Sequence, residues 1–235
     1  MIMSKDGLYN LCLGGGTMAI LPIYVSYDSH LLPTEKRAIT TAANEFNELF
    51  RDRRIYIFGS GPWSDNVEYS SGDWYVEKAK KILRKNSLIQ LDANSLIRLL
   101  AQEPWQKEEK HIDMFFTSYD LTAWAGGVRL NFCFGLTSGR LTVLSVRRFR
   151  ELHFRDRVLA IKALFWHELG HILGAARDLN REATEDNLGP HCTSFGCIMR
   201  QGLSLEEWMS HAKQAERRSS FYCPSCMEDI ARSTI

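Results

Sequence analysis

The chain predicts an α/β fold, a mixed sheet of about five strands with packed helices, followed by a small cysteine-bearing C-terminal subdomain. Three observations carry this. Short β-branched and aromatic runs alternate with helical patterns over the first two-thirds of the 235 residues. A helical pattern follows at 154–176, almost uncharged from Val158 onward. Four of the six cysteines then fall in close pairs, Cys192-x4-Cys197 and Cys223-x2-Cys226.

Taken in order, Gly14, Gly15 and Gly16 read as a loop, because no helix with Lys-Ser or Lys-Thr follows to make a phosphate cradle. TMAILPIYVSY then has the character of a buried first strand. Pro33-Thr34 opens a helix with Ile39, Ala42, Phe46 and Leu49 on one apolar face. RIYIFGS at 54–60 reads as a short strand, and 74–103 as one or two helices whose Lys and Arg form a solvated face. Strand patterns occupy 111–121, 128–136 and 139–149, separated by Gly126-Gly127 and Thr137-Ser138-Gly139, which suit tight connections.

The helical pattern at 154–176 puts Val158, Ile161, Phe165, Leu169, Ile172 and Ala176 in one stripe, with Leu164, His167 and His171 on the other side. Outside HELGH, Lys162 is the only charged residue between Val158 and Ala176, so this helix is expected to run through the interior. A last helix over about 204–218 begins at Ser204, with Glu207 at capping-box spacing.

Charge and composition exclude several classes. Lys and Arg total 29 against 28 Asp and Glu, a formal net charge of +1, which gives little pull on nucleic acid or an anionic membrane. The group Arg147, Arg148, Arg150, Arg155 and Arg157 reads as a solvated face. No stretch approaches the roughly eighteen apolar residues that span a bilayer, and the N-terminus lacks a signal-type apolar run, so a cytoplasmic location is expected. In that setting short-spaced cysteine pairs read as thiolate metal ligands, with paired disulfides the alternative. Cys12 and Cys133 read as small packed hydrophobes.

His167, Glu168 and His171 form an H-E-x-x-H run. On a helix, residues four apart share a face, so two imidazoles reach one zinc while the glutamate stands beside it. Two histidines and a glutamate on an otherwise apolar helix are costly to bury without a cation. The pattern is that of a zinc peptidase. The helix at 154–176 is thus an expected active-site helix.

His167, Glu168, His171, Gly174, His191, Cys192, Cys197, Met199, Cys223 and Cys226 fill, in order, the places of a longer pattern, H-E-x-x-H-x-x-G-x-x-H-C-x4-C-x-M followed by C-x-x-C. In this the chain resembles the archaemetzincins, within the metzincin metallopeptidases, over roughly 110–228. There is one departure. Arg177 stands where the family has its third histidine, and a guanidinium stays protonated and cannot ligate zinc. Residues 175–190 therefore read as an insertion, with His191 as third ligand; Asp178, Glu182, Glu185 and Asp186 are carboxylate alternatives.

Four thiolates at C-x4-C and C-x2-C spacing match a closed, structural zinc site. The resemblance likewise implies two zinc ions, one catalytic and one structural, and a Met-turn at Met199. It implies a single catalytic domain over 1–235, with an N-terminal part to about 176 and a zinc-stabilised C-terminal part from about 177. The expected reaction is peptide-bond hydrolysis by a zinc-activated water with Glu168 as general base, on a peptide or protein lying against an edge strand supplied by LNFCFG or its neighbour. Trp124, Phe134 and the insertion are candidate pocket rims. Two other readings stand beside this: a degenerate zinc-stabilised protein, suggested by Arg177, and an interaction module built on the four-cysteine region.

Overall fold

The computed structural model describes residues 21–51, 54–82, 90–186, 188–218 and 220–233; the Gly14–Gly16 loop, Cys12 and the start of the first expected strand lie outside these. Strand β1 (Ile23–Tyr27) leads into helix α1 (Pro33–Leu49) and strand β2 (Ile55–Gly59). Helix α2 (Gly72–Ile82), strand β3 (Gln90–Asp92), helix α3 (Ala93–Ala101) and helix α4 (Pro104–Glu108) follow. Strands β4 (Ile112–Thr117), β5 (Asp120–Ala125), β6 (Val128–Cys133), β7 (Gly135–Ser138) and β8 (Leu141–Ser145) come next. They precede the long helix α5 (Phe154–Leu173). The C-terminal part holds β9 (Thr184–Asp186), β10 (Pro190–Cys192), α6 (Leu205–Glu216) and α7 (Pro224–Arg232).

Among the described residues the main sheet has five strands in the order β2-β1-β4-β8-β7. Its first four are mutually parallel, and β7 closes one edge antiparallel to β8, so the sheet is mixed as expected. Side-chain alternation divides the core cleanly between its two faces. Ile23, Val25, Met114, Phe116 and Leu144 point to the layer of α1 and α5, whereas Tyr24, Phe115 and Val143 point to α2 and α3.

Two expected strands each proved to be two elements. The run 111–121 breaks at Ser118-Tyr119, and β5 leaves the main sheet for a three-stranded one in the order β3-β5-β6. The run 128–136 breaks at Phe134 in the same way, with β6 in the small sheet and β7 in the large one. Continuous apolar runs carry no signal for such a change of sheet, because both halves are buried. Strand β3 was hidden within an expected helical region; three residues are too few to show a period. Leu49 also differs from expectation, being 57% exposed at the last turn of α1 rather than on its buried face.

Of the arginine group at the start of α5, Arg147 and Arg155 are exposed as expected of a solvated face, whereas Arg148, Arg150 and Arg157 are structural. Arg148 makes a two-pronged contact with Asp120 at 2.9 Å for both nitrogens, while Arg150 grips the fully buried Glu35 at 2.8 and 2.9 Å. Arg157 donates to the carbonyls of Arg150 and Leu152. These bonds brace the turn at Arg148–Glu151 that launches α5.

Helix α5 is interior along most of its length. It packs on both α1 and α6, and Trp208 Nε1 reaches its Ala160 carbonyl at 3.3 Å. Its end is set by Gly174 at φ 82°, a left-handed position where glycine avoids the Cβ penalty. Helix α6 begins as expected, with Ser204 Oγ accepting the Glu207 amide at 3.1 Å.

Candidate metal centres

Helix α5 sets His167 and His171 one turn apart, and β10 brings His191 to face them. One nitrogen of each ring lies within 4.8 Å of the others. His167 Nε2 and His171 Nε2 are 3.1 Å apart, and the His191 ring centroid is 5.3 and 4.8 Å from theirs. Carbonyl oxygens only accept, so the bonds from His167 Nδ1 to Ile198 O (2.7 Å) and from His191 Nδ1 to Gly189 O (2.8 Å) place protons on both Nδ1 atoms. That puts a lone pair rather than a proton on the Nε2 atoms of these two rings, the form that can face a cation, and fixes each ring's orientation. Burial, with nearby imidazoles adding to it, pushes the His167 ring down to about 3 and His171 well below its ordinary value. Neutral imidazoles are the form that binds metal.

The carboxylate alternatives do not enter this cluster. Asp178, Glu182, Glu185 and Asp186 are exposed, and none belongs to the histidine group. Arg177 is exposed at the rim of the adjoining cavity. Beyond Gly174 the chain makes a second left-handed residue, Ala176 at φ 59°, then returns through the β9–β10 hairpin to present His191. The expected insertion is therefore a turn followed by a two-stranded ribbon.

Glu168 points from α5 toward β7 and β8. Its Oε2 accepts the Thr137 hydroxyl at 2.6 Å, and Thr142 Oγ1 lies 3.4 Å away. Burial raises its carboxyl to about 7, although both threonine contacts pull the other way. Gly135 makes room for it: a Cβ there would lie 2.2 Å from Glu168 Oε1. Gly135 carries no signal in the sequence, and Thr137-Ser138, expected as part of a tight connection, instead end strand β7, whose edge position among the described residues only the sheet order reveals.

Met199 is fully buried beneath α5, against Gly170, where a Cβ would approach its Sδ to 2.3 Å. Its carbonyl accepts the Cys192 amide at 2.9 Å. A cavity of about 600 Å³ opens beside the histidines. Its walls include Phe132 and Phe134, the edge strand β7, and Leu188 to Pro190 of the inserted segment. Trp124, expected at the rim, is instead 59% exposed on the β5–β6 hairpin and does not line it.

Cys192, Cys197, Cys223 and Cys226 converge in a second cluster, with sulfurs within 4.8 Å of one another. Cys192 and Cys223 are 3.8 Å apart, Cys197 and Cys226 3.7 Å. Disulfide sulfurs would be separated by about 2.0 Å. A tetrahedron with zinc–sulfur bonds of about 2.3 Å has edges of about 3.8 Å, so the four-cysteine cluster fits a zinc subdomain. All four cysteines are free thiols, as is Cys133, which is packed as expected. Hydrogen bonding among the four sulfurs pushes the Cys192 and Cys223 thiols down and the Cys197 and Cys226 thiols up.

A mixed α/β sheet, an interior helix bearing H-E-x-x-H, a third imidazole from a later strand and a separate four-cysteine cluster define a protein of the helix-borne histidine metal-site class. Within that class the chain is archaemetzincin-like. The archaemetzincin of Saccharolobus islandicus is 26% identical over 148 residues, covering 60% of this chain and 66% of that protein. The archaemetzincin of Pyrobaculum aerophilum is 30% identical over 103 residues, covering 44% of this chain and 52% of that one. The matches thus span between about half and two-thirds of the length of these curated relatives. The fold matches the crystal structure of archaemetzincin from Methanopyrus kandleri, with a TM-score of 0.61, 20% identity and coverage of 91% of this chain and 95% of that one. That of Archaeoglobus fulgidus archaemetzincin complexed with malonate gives a TM-score of 0.51, 21% identity and coverage of 89% and 99%. No protein-family model matches the chain.

Proposed function

We propose that this protein is a zinc-dependent peptidase that hydrolyses peptide bonds, with His167, His171 and His191 holding a catalytic zinc and Glu168 acting as general base. The observation that supports it most is the convergence of His191 on the two helix-borne imidazoles despite Arg177 at the expected third place. Zinc in such a site supplies Lewis acidity toward a peptide carbonyl and a water. Three neutral ligands keep that charge undiminished. The four cysteines hold a second, structural zinc.

The protein's own groups do the rest. Glu168, with a carboxyl near 7, takes the water's proton at its carboxylate and later returns it to the leaving amine; a group titrating near the working pH serves in both directions. Thr137 holds the carboxylate in place. Among the described residues strand β7 is paired on one side only, so its open edge can align an extended peptide by backbone bonds beside the histidines. The substrate is a peptide or protein, and the reducing interior of the cytoplasm suits the four free thiols.

The test is peptide hydrolysis by the zinc-replete protein against a mixed peptide library, run beside Glu168→Gln with metal content measured for both. Loss of activity by about 100-fold or more in the variant, at unchanged zinc content, is the expected result. Equal activity of the two, or no cleavage by the wild type, overturns the proposal.

A further inference from the structure

Arg181 lies in the inserted segment, yet its side chain is only 15% exposed. Its Nη2 donates to Cys226 Sγ at 3.1 Å, and its Nη1 lies 2.9 Å from Asp229 Oδ2. Asp229 in turn accepts the Ala176 amide at 3.0 Å, just beyond the end of α5. The Arg181 carbonyl accepts both the amide and the hydroxyl of Thr184, at 3.2 and 2.8 Å. Thr184 is paired across the hairpin with Cys192. One guanidinium therefore ties the inserted segment to the cysteine cluster and, through Asp229, to the active helix.

Charge explains why an arginine is useful there. Four thiolates around a divalent ion carry a net double negative charge, and these cysteines are 0–3% exposed. An unbalanced buried anion is strongly disfavoured, so a cationic donor at the sulfur stabilises the loaded centre more than the empty one. A backbone amide, Cys223 N to Cys197 Sγ at 3.5 Å, adds a weaker donor. We propose that Arg181 is a positioning residue and charge partner of the four-cysteine centre, raising that centre's affinity for zinc. This rests on the reading that the cysteines hold zinc.

Substitution of cobalt for zinc tests it, because thiolate-to-cobalt charge-transfer absorption reports the cysteine centre and not the histidine one. Competition with a chromophoric chelator is expected to show about 10- to 100-fold weaker binding in Arg181→Met. Asp229→Asn, which removes the ion pair but leaves the guanidinium at the sulfur, is expected to bind as tightly as wild type. Should Arg181→Met fail to fold, Arg181→Gln, which keeps a donor without the charge, reads the same competition and is likewise expected to bind more weakly. Wild-type affinity in the arginine variants overturns the proposal, as does an equal loss in Asp229→Asn, which would mark a purely structural ion pair. Absence of the charge-transfer band in wild type would instead remove the zinc reading of the cysteines, and this inference with it, while leaving the histidine centre standing.

Discussion

His191 and Cys192 are neighbours in one three-residue strand, yet their side chains join different clusters. His191 meets His167 and His171, and Cys192 meets Cys197, Cys223 and Cys226. Alternation along a strand sends adjacent side chains to opposite faces, so a single peptide unit separates the two candidate metal sites.

The first prediction follows from that adjacency. Cys223→Ser weakens the cysteine centre, loosens β10 and so reduces metal at the histidine centre although no histidine is changed. Metal analysis of the variant at limiting zinc is expected to give less than one equivalent at the histidine centre. Full occupancy there would show that the centres are independent.

Gly170 gives a second. A methyl group at this position would meet Met199 Sδ at 2.3 Å and Tyr222 Cε1 at 2.8 Å. Overpacking of this kind costs about 1–3 kcal/mol. Gly170→Ala is therefore expected to lower Tm by roughly 2–4 °C per kcal/mol lost and to weaken metal binding between His167 and His171. Calorimetry with and without added zinc measures both effects, and an unchanged Tm would refute the packing argument.

Thr137→Val removes the hydroxyl that donates to Glu168 Oε2 at 2.6 Å. That bond favours the carboxylate over the acid, so its loss moves the Glu168 carboxyl above its present value of about 7. The acid limb of the kcat/KM profile should shift to higher pH, with reduced activity at pH 7. A profile superimposable on wild type would mean the threonine does not act on the base.

A fourth prediction concerns His111, buried behind the sheet with its Nε2 3.0 Å from Asp113 Oδ2 and 3.8 Å from Glu103 Oε2. Burial opposes its charge, but Asp113 and Glu103 outweigh that and raise the ring to about 9. A histidine raised on folding stabilises the protein fully below its unfolded value of about 6.5, and this contribution is lost as pH rises through 9. Urea unfolding at pH 6 and pH 9.5 should show a larger loss of stability in wild type than in His111→Gln, by on the order of a few kcal/mol. Parallel curves for the two proteins would contradict it.

Much of the fold was legible in the residues because period and composition carry it. The apolar stripe of α5 and the capping residues of α6 are local features that the structure bears out, although α5 ends at Leu173, with Gly174 left-handed, rather than at 176. The breaks at Ser118-Tyr119 and Phe134 were not legible, since a buried run looks alike whichever sheet takes it. Nor were the partners of Arg148 and Arg150, whose carboxylates lie 28 and 115 residues away.

By itself the sequence determined which atoms are available for chemistry: the H-E-x-x-H spacing, the paired cysteines and the one histidine beside them. Only the tertiary structure decided that His191, rather than a carboxylate of the insertion, faces His167 and His171, and that Arg181 reaches a sulfur 45 residues away. The physical reason is that helix spacing is a property of neighbouring residues. The return of a hairpin to a buried site depends instead on the packing, turns and hydrogen bonds of segments far apart in the chain.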